Sequence, residues 1–340
     1  MANIMVNESC NLRCPYCFAE EFVNKNPKEM SLTDFRKALE FVLSDEDMQQ
    51  VGIIGGEPLL YTHINEAMRM ALSDHRTEYV MIYTNAVELD RLDPEILDAV
   101  KFRMLVNCNS PEDMGEDAFL KMCENLMRFR NEHSGEGRFR LSVNLYKPDF
   151  DYSYLFPILD NIYFDVIRLS VSVPQKGELH GKSPLQYFNE MKPLAIKFIG
   201  DMIKFGILTG FDCNFIPTCV FTQEEREGLI GAKDVLQAAL KSRFPQEFWD
   251  RAIFCEVNNC TPVIDVLPDL KAIRCFGLSE YSKEDIHNYR NIDDLGVHYI
   301  YSVDRPACAK WVDEACEKCY FREMGECSCG CLLFKLAAGS

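Results

Sequence analysis

"ESCNLRCPYCF", residues Glu8–Phe18, sets Cys10, Cys14 and Cys17 at C-x3-C-x2-C spacing directly behind a short apolar run, Asn3–Val6. A strand that runs straight into such a loop delivers three thiols to the carboxyl end of a first β-strand. That is the edge at which parallel α/β sheets place their chemistry.

Working outward from this loop, short β-rich runs alternate with helical patterns through the first two thirds of the chain. The strands are expected at Asn3–Val6, Gln50–Ile54, Tyr79–Tyr83, Met104–Asn107, Arg140–Leu145 and Val166–Val171. Between them "SLTDFRKALEFVL" reads as a helix, with Ser31 and Asp34 at its start and Phe35, Leu39 and Val42 on one face. Such alternation predicts an α/β fold with parallel strands and crossover helices. Beyond Val171, Leu185–Phe205 reads as one long helix, Leu208–Phe215 as a seventh strand and Gln223–Lys241 as another helix. From about Phe254 cysteines crowd in and periodicity fades, so a boundary is expected near residue 245, with an irregular, metal-stapled domain after it. "GELHGKS" has three residues between Gly177 and Gly181 where a phosphate loop needs four, and reads as a loop near the mouth of the site.

A chain of 340 residues is long enough to fold around its own core without disulfides, and it has 16 cysteines. No secretory signal and no membrane span is read, since "PLAIKFIGDMIKFGILTGF" is broken by Lys197, Asp201 and Lys204. The expected location is therefore cytoplasmic, where thiols serve as metal ligands rather than as disulfides. A formal charge of −17 argues against a nucleic-acid partner. The six histidines form no H-x3-H or H-E-x-x-H pattern.

Three thiolates can hold three irons of a four-iron cluster and leave the fourth open to chelate another molecule. A zinc loop is the alternative for an isolated motif of this kind. "GIIGGEPLL" then places Gly55-Gly56-Glu57-Pro58 at the end of the second strand, and "MIYTNA" places Thr84 and Asn85 at the end of the third. Together these stretches resemble the radical SAM superfamily over residues 1–215. The resemblance implies a partial (β/α)6 TIM-like barrel, a [4Fe-4S] cluster on Cys10, Cys14 and Cys17, and S-adenosylmethionine on its open iron. It also implies that Tyr16, the Gly55–Pro58 loop, Thr84 and Asn85 face that cofactor. Asn107, Asn144 and Ser170, at later strand ends, are expected to do the same. Ala86 stands where the family has a glycine.

The cysteine-rich end resembles a SPASM domain or its shorter twitch relative over residues 251–335, joined to the barrel by a helical linker at 216–250. That resemblance places Cys255, Cys260, Cys275 and Cys331 around one auxiliary [4Fe-4S] cluster. Cys316, Cys319 and Cys327 are placed around a second, if one is present, with Cys308 or Cys329 completing it or with one iron left open. Leu270 at a usual glycine position, a seven-residue spacer and the lack of a cysteine after Cys331 depart from the SPASM pattern, and C-x2-C pairs are also ordinary zinc ligands. Cys108 and Cys123 are expected in the core, whereas Cys213 or Cys219 is a candidate hydrogen donor.

What the resemblance implies is a radical enzyme that modifies a peptide or protein, by thioether or carbon–carbon crosslinking in a ribosomally made precursor. A flavodoxin or ferredoxin would supply electrons, and either a separate protein or the barrel mouth itself would recognise the peptide, since little chain precedes Cys10. Formylglycine-forming maturases carry an acid where this chain has Phe276, which argues against that activity. Radical dehydrogenation or rearrangement of a small molecule, and a non-catalytic metal or electron-transfer scaffold, are the alternatives. Asp265 and Asp269, candidate proton acceptors, are expected to be solvated turn residues.

Overall fold

The computed structural model describes residues 2–44, 49–133, 138–162, 164, 166–172, 179, 181–210, 215–240, 260, 263–310, 312–327 and 330–337. The chain divides into two compact units. One comprises Met1–Arg140 with Pro262–Arg305, the other Leu141–Thr261 with Pro306–Ser340.

In the first unit, β1 (Ala2–Met5), α1 (Leu32–Val42), β2 (Gln49–Ile54), α2 (Ile64–Ser73), β3 (Thr77–Thr84), α3 (Pro94–Leu97), β4 (Phe102–Asn107), α4 (Pro111–Met114) and α5 (Glu116–Glu132) follow in turn. β1, β2, β3 and β4 lie side by side and parallel, as the β/α alternation requires. All four residues of β1 are buried, which fits a parallel strand covered on both faces. The Ser31 hydroxyl caps α1 by accepting from the Asp34 amide at 3.1 Å and donates to the Asp34 carboxylate at 2.8 Å.

The six strands expected up to Val171 are observed, with ends that differ by two residues at most, whereas the seventh, expected over Leu208–Phe215, is a strand over Leu208–Gly210 only, and residues 211–214 of that expectation lie outside the described residues. What sequence periodicity does not show is a further piece of sheet. β8 (Ile264–Val266) runs parallel to β1, pairing Asn3 with Asp265. β9 (Lys271–Ile273) and β10 (Glu284–Asp285) extend the sheet antiparallel, and α9 (Ile292–Tyr299) follows. The region after residue 254 is thus not irregular throughout: its strands are two or three residues long, too short to carry a period, and are fixed by pairing to β1.

The second unit holds β5 (Phe139–Leu145) from Leu141 onward, α6 (Leu155–Asn161), β6 (Val166–Val171), α7 (Pro184–Lys204), β7 (Leu208–Gly210) and α8 (Gln223–Leu240). β5, β6 and β7 are parallel neighbours. α7 starts at a full capping box, Ser183 with Gln186. α10 (Arg305–Cys308), α11 (Tyr320–Glu323) and α12 (Leu332–Ala337) are short. Among the described residues no helix is long and apolar enough to cross a membrane.

Candidate functional site

The cysteine loop is braced by its own backbone before any ligand is considered. As β1 ends, Val6 N–H donates to Ile54 O and Met30 N–H donates to Val6 O, both at 2.9 Å. Glu8 N–H donates to Lys28 O, and the Glu8 carboxylate accepts from Lys28 N–H. Asn24 then turns back with φ +59, a conformation asparagine tolerates better than most residues. Its carboxamide accepts from Cys10 N–H at 3.0 Å and donates to Cys10 O at 3.1 Å.

The Gly55–Pro58 turn locks onto this loop. Gly56 N–H donates to Asn7 O at 3.0 Å, Glu57 N–H to Ser9 O at 2.7 Å, and the Asn7 carboxamide to Glu57 O at 3.0 Å. A methyl group on Gly56 would stand 2.4 Å from Ser9 O, and one on Gly55 would stand 2.1 Å from Asn7 Oδ1. What approaches these glycines is therefore the cysteine loop itself.

Glu57 is 1% exposed, and both of its carboxylate oxygens are engaged. Oε1 accepts from Leu59 N–H at 3.0 Å and from the Thr84 hydroxyl at 2.6 Å, while Oε2 accepts from Asn85 N–H at 2.8 Å. Burial pushes its carboxyl up to about 7, against those three donors, which favour the charged form. Glu57 thus ties the ends of β2 and β3 together. The Asn85 side chain donates to Asn11 Oδ1 at 2.8 Å, bringing the third strand end to the cysteine loop. Ala86 takes φ +57, the left-handed conformation in which glycine is unstrained.

Around the sulfurs, Leu12 N–H donates to Cys10 Sγ at 3.4 Å and Asn109 Nδ2 to Cys14 Sγ at 3.1 Å. The Tyr16 hydroxyl donates to Asn109 Oδ1. Burial pushes the Cys10 thiol up to about 11 and the Cys14 thiol to about 12, and raises Cys17 as well. The negative charge of neighbouring thiolates adds to the rise at Cys14. Such thiols hold their protons until a cation displaces them. Beneath the loop, Cys17 and Phe22 pack on a buried cluster of Met5, Ala19, Ile54, Leu267, Ile273 and Phe276. The Phe276 ring lies edge-on to Phe18 and Phe22, with centroids at 4.9 and 5.7 Å.

The first unit therefore brings together Cys10, Cys14, Cys17, Tyr16, Gly55, Gly56, Glu57, Pro58, Thr84 and Asn85. Asn107 is half-buried at the end of β4. Sequence reasoning missed Asn24 and Asn109; the one signal for Asn109 was its position two residues past a strand-end asparagine. Asp265, read as a solvated turn residue, is buried in β8 and accepts from the Asn3 carboxamide at 2.6 Å. Burial pushes its carboxyl up to about 7, with Asn3 and the positive charge of Arg274 opposing the rise. Asp269 does lie in an exposed turn.

In the second unit, Asn144 and Ser170 are register neighbours on β5 and β6, and Ser170 Oγ is buried without a hydrogen-bond partner among the described residues. Cys316 is buried, Cys319 and Cys327 flank α11, and Cys331 follows Gly330, whose φ is +76. Cys260 is half-buried; Cys308 and Cys219 are exposed. Cys275, in the first unit, precedes the turn at Phe276–Leu278. Cys213, Cys255 and Cys329 lie outside the described residues, as does most of the Gly177–Gly181 loop. Cys108 is in the core and Cys123 is half-buried on α5.

Among the described residues no three His, Cys, Asp or Glu side chains stand close enough to enclose a single metal ion. The donor set suits a different group. Three soft thiols on one loop, with no fourth His, Cys, Asp or Glu completing a metal site among the described residues and N–H groups already directed at two of the sulfurs, suit an iron–sulfur cluster.

The Radical SAM superfamily model matches residues 4–148. A GTP 3′,8-cyclase of Chlorobaculum tepidum is 32% identical over 96 residues, 28% of this chain and 28% of that protein. One of Sulfurimonas denitrificans is 31% identical over 146 residues, 42% and 45% of the two chains. The matches thus span less than half the length of these curated relatives. Among solved structures, anSMEcpe with bound AdoMet and the Kp18Cys peptide superposes at a TM-score of 0.58, with 16% identity over 97% of this chain and 88% of that one. Streptococcus suis SuiB bound to S-adenosylmethionine superposes at 0.59, with 15% identity over 98% and 72%. At these identities the likeness is one of fold: β/α units of a partial barrel, followed in the chain by a smaller helical, cysteine-rich region.

Proposed function

We propose that the chain, whose residues 4–148 match the Radical SAM superfamily model, cleaves S-adenosylmethionine reductively and uses the resulting 5′-deoxyadenosyl radical to crosslink a ribosomally made precursor peptide. The observation that carries this reading is the braced loop with three thiols, held against the Gly55–Pro58 turn. Bound there, a four-iron cluster would supply the electron that splits the sulfonium.

The residues have distinct tasks. Cys10, Cys14 and Cys17 hold the cluster. Asn24 and Glu8 fix the loop, and Glu57 aligns the strand ends around the cofactor. Tyr16, the Gly55–Pro58 backbone, Thr84, Asn85 and Asn107 face S-adenosylmethionine, as do Asn144 and Ser170. Hydrogen abstraction from a peptide carbon gives 5′-deoxyadenosine and a carbon radical. A cysteine thiol of the peptide then adds to that carbon, with loss of one proton and one electron. The electron that leaves balances the one consumed in cleavage, so the peptide loses two hydrogens and S-adenosylmethionine becomes methionine and 5′-deoxyadenosine. Cys255, Cys260, Cys275 and Cys331 would hold one auxiliary cluster, and Cys316, Cys319 and Cys327, with Cys308 or Cys329 or with one iron open, would hold a second; such clusters would provide an acceptor for that electron. A cytoplasmic flavodoxin or ferredoxin as reductant and a separate leader-binding protein complete the proposal.

Peptide substrates are favoured by the fold shared with anSMEcpe, whose structure holds a peptide. A second reading, radical chemistry on a small molecule, is favoured by the curated relatives named as GTP 3′,8-cyclases. The deciding experiment follows 5′-deoxyadenosine and peptide mass under anaerobic, reducing conditions, in the parent and in a Cys10→Ala/Cys14→Ala/Cys17→Ala variant. Nucleoside formation lost in the variant, with a peptide lighter by about two hydrogens, supports peptide crosslinking. Nucleoside formation coupled to a small molecule instead replaces that reading, and none in the parent overturns radical chemistry.

A further inference from the structure

Asn109 sits where β4 has ended and α4 has not begun. The next residue, Ser110, caps α4 by accepting from Asp113 N–H at 3.1 Å, so the backbone on either side of Asn109 is fixed. Its side chain is 3% exposed and joins two residues of the cysteine loop: Nδ2 stands 3.1 Å from Cys14 Sγ, and Oδ1 takes the Tyr16 hydroxyl. The orientation is determined by chemistry. A cysteine sulfur that has given up its proton to a metal only accepts, so it must meet the carboxamide nitrogen. The tyrosine hydroxyl then donates to the oxygen left over.

The geometry points to Asn109 as a positioning residue that sets the reduction potential of the cluster held by Cys10, Cys14 and Cys17, by donating to the Cys14 sulfur in an orientation that Tyr16 enforces. The inference rests on the cluster reading above. Reduction adds negative charge that the cluster shares with its sulfurs, and an N–H directed at one of them favours the reduced form. Cys10 receives a longer contact from Leu12 N–H, which belongs to the backbone and survives side-chain substitution. At Cys14, by contrast, the donor is a side chain, so substitution can remove it.

The test is an anaerobic redox titration of the reconstituted full chain, without S-adenosylmethionine. The spectroscopic signal followed is the one absent from the Cys10→Ala/Cys14→Ala/Cys17→Ala variant. Asn109→Leu should keep the parent's iron and lower the ratio of reduced to oxidised cluster about tenfold at a fixed poise, the scale expected for losing a hydrogen bond to a charged group. Asn109→Asp, which puts an acceptor against the sulfur, should lower it further. Tyr16→Phe, which only frees the carboxamide, should lower it less. Unchanged potentials in Asn109→Leu and Tyr16→Phe at full iron content overturn the inference. If Asn109→Leu assembles no cluster, the other two variants decide by the same criterion. A parent that places no iron on these cysteines overturns the cluster reading itself, an outcome separable from the first because it precedes any comparison of variants.

Discussion

Gly56 is the residue at which the site is least forgiving. Its missing side chain is replaced by Ser9 O, a backbone atom one residue from Cys10, so Gly56→Ala must push the cysteine loop out of place. The expected result is loss of the iron bound by Cys10, Cys14 and Cys17 with secondary structure retained, measured as iron per chain and by circular dichroism. Glu57→Gln tests the neighbouring residue. A carboxamide offers one accepting oxygen to three donors, so at pH 8 the variant should be less stable by about 1–3 kcal/mol in urea unfolding, the cost of stranding buried donors. Both residues were legible in the sequence because each lies within a short motif at a strand end. That Glu57 also ties in Thr84 and Asn85 was not legible, because those partners come from another strand. Asn24 and Asn109 were illegible for the same reason. Each meets the loop through space, and no local spacing records it.

At the scale of the element, β8, β9 and the turn at Phe276 hold up the cysteine loop from below. Phe276 is 6% exposed within the cluster that includes Met5, Ala19 and Ile273. Phe276→Ala should cost about 3 kcal/mol of stability through the cavity it leaves. Phe276→Asp should cost more and release iron from the loop, which denaturant titration and iron assay would both register. The same hairpin is anchored by Arg274, 1% exposed, whose guanidinium forms two bonds to Asp304, at 2.9 and 3.2 Å. Removing its partner in Asp304→Ala should destabilise by about 3 kcal/mol, because a buried cation loses its counter-charge. The long elements were predicted well: α7 and α8 carry a helical period over many turns. The three-residue strands β8 and β9 carry none, and only their pairing makes them strands.

For the molecule as a whole, two buried carboxyls make stability depend on pH in an unusual sense. Asp265 and Glu57 are raised in the folded chain to about 7, while in the unfolded chain they ionise near 4. Between those values the folded state holds protons that the unfolded state has released, so their contribution is full below about pH 4 and is lost as pH rises through about 7. Asp265→Asn, which keeps an oxygen for the Asn3 amide, should match the parent near pH 4 and exceed it in melting temperature at pH 8. A parent whose stability is flat between pH 5 and 8 would contradict this. β1 also has a place in time. It lies between β2 and β8, and Asn3 waits for an aspartate 262 positions further along the chain. β1 therefore leaves the ribosome long before β8, the strand that completes its pairing, and the aromatic floor under Cys17 emerges later still. On the proposed cluster reading, iron insertion follows synthesis of β8, and ribosome-arrested chains that end before residue 264 should leave these thiols open to alkylating reagents that the finished chain, reconstituted with iron, resists.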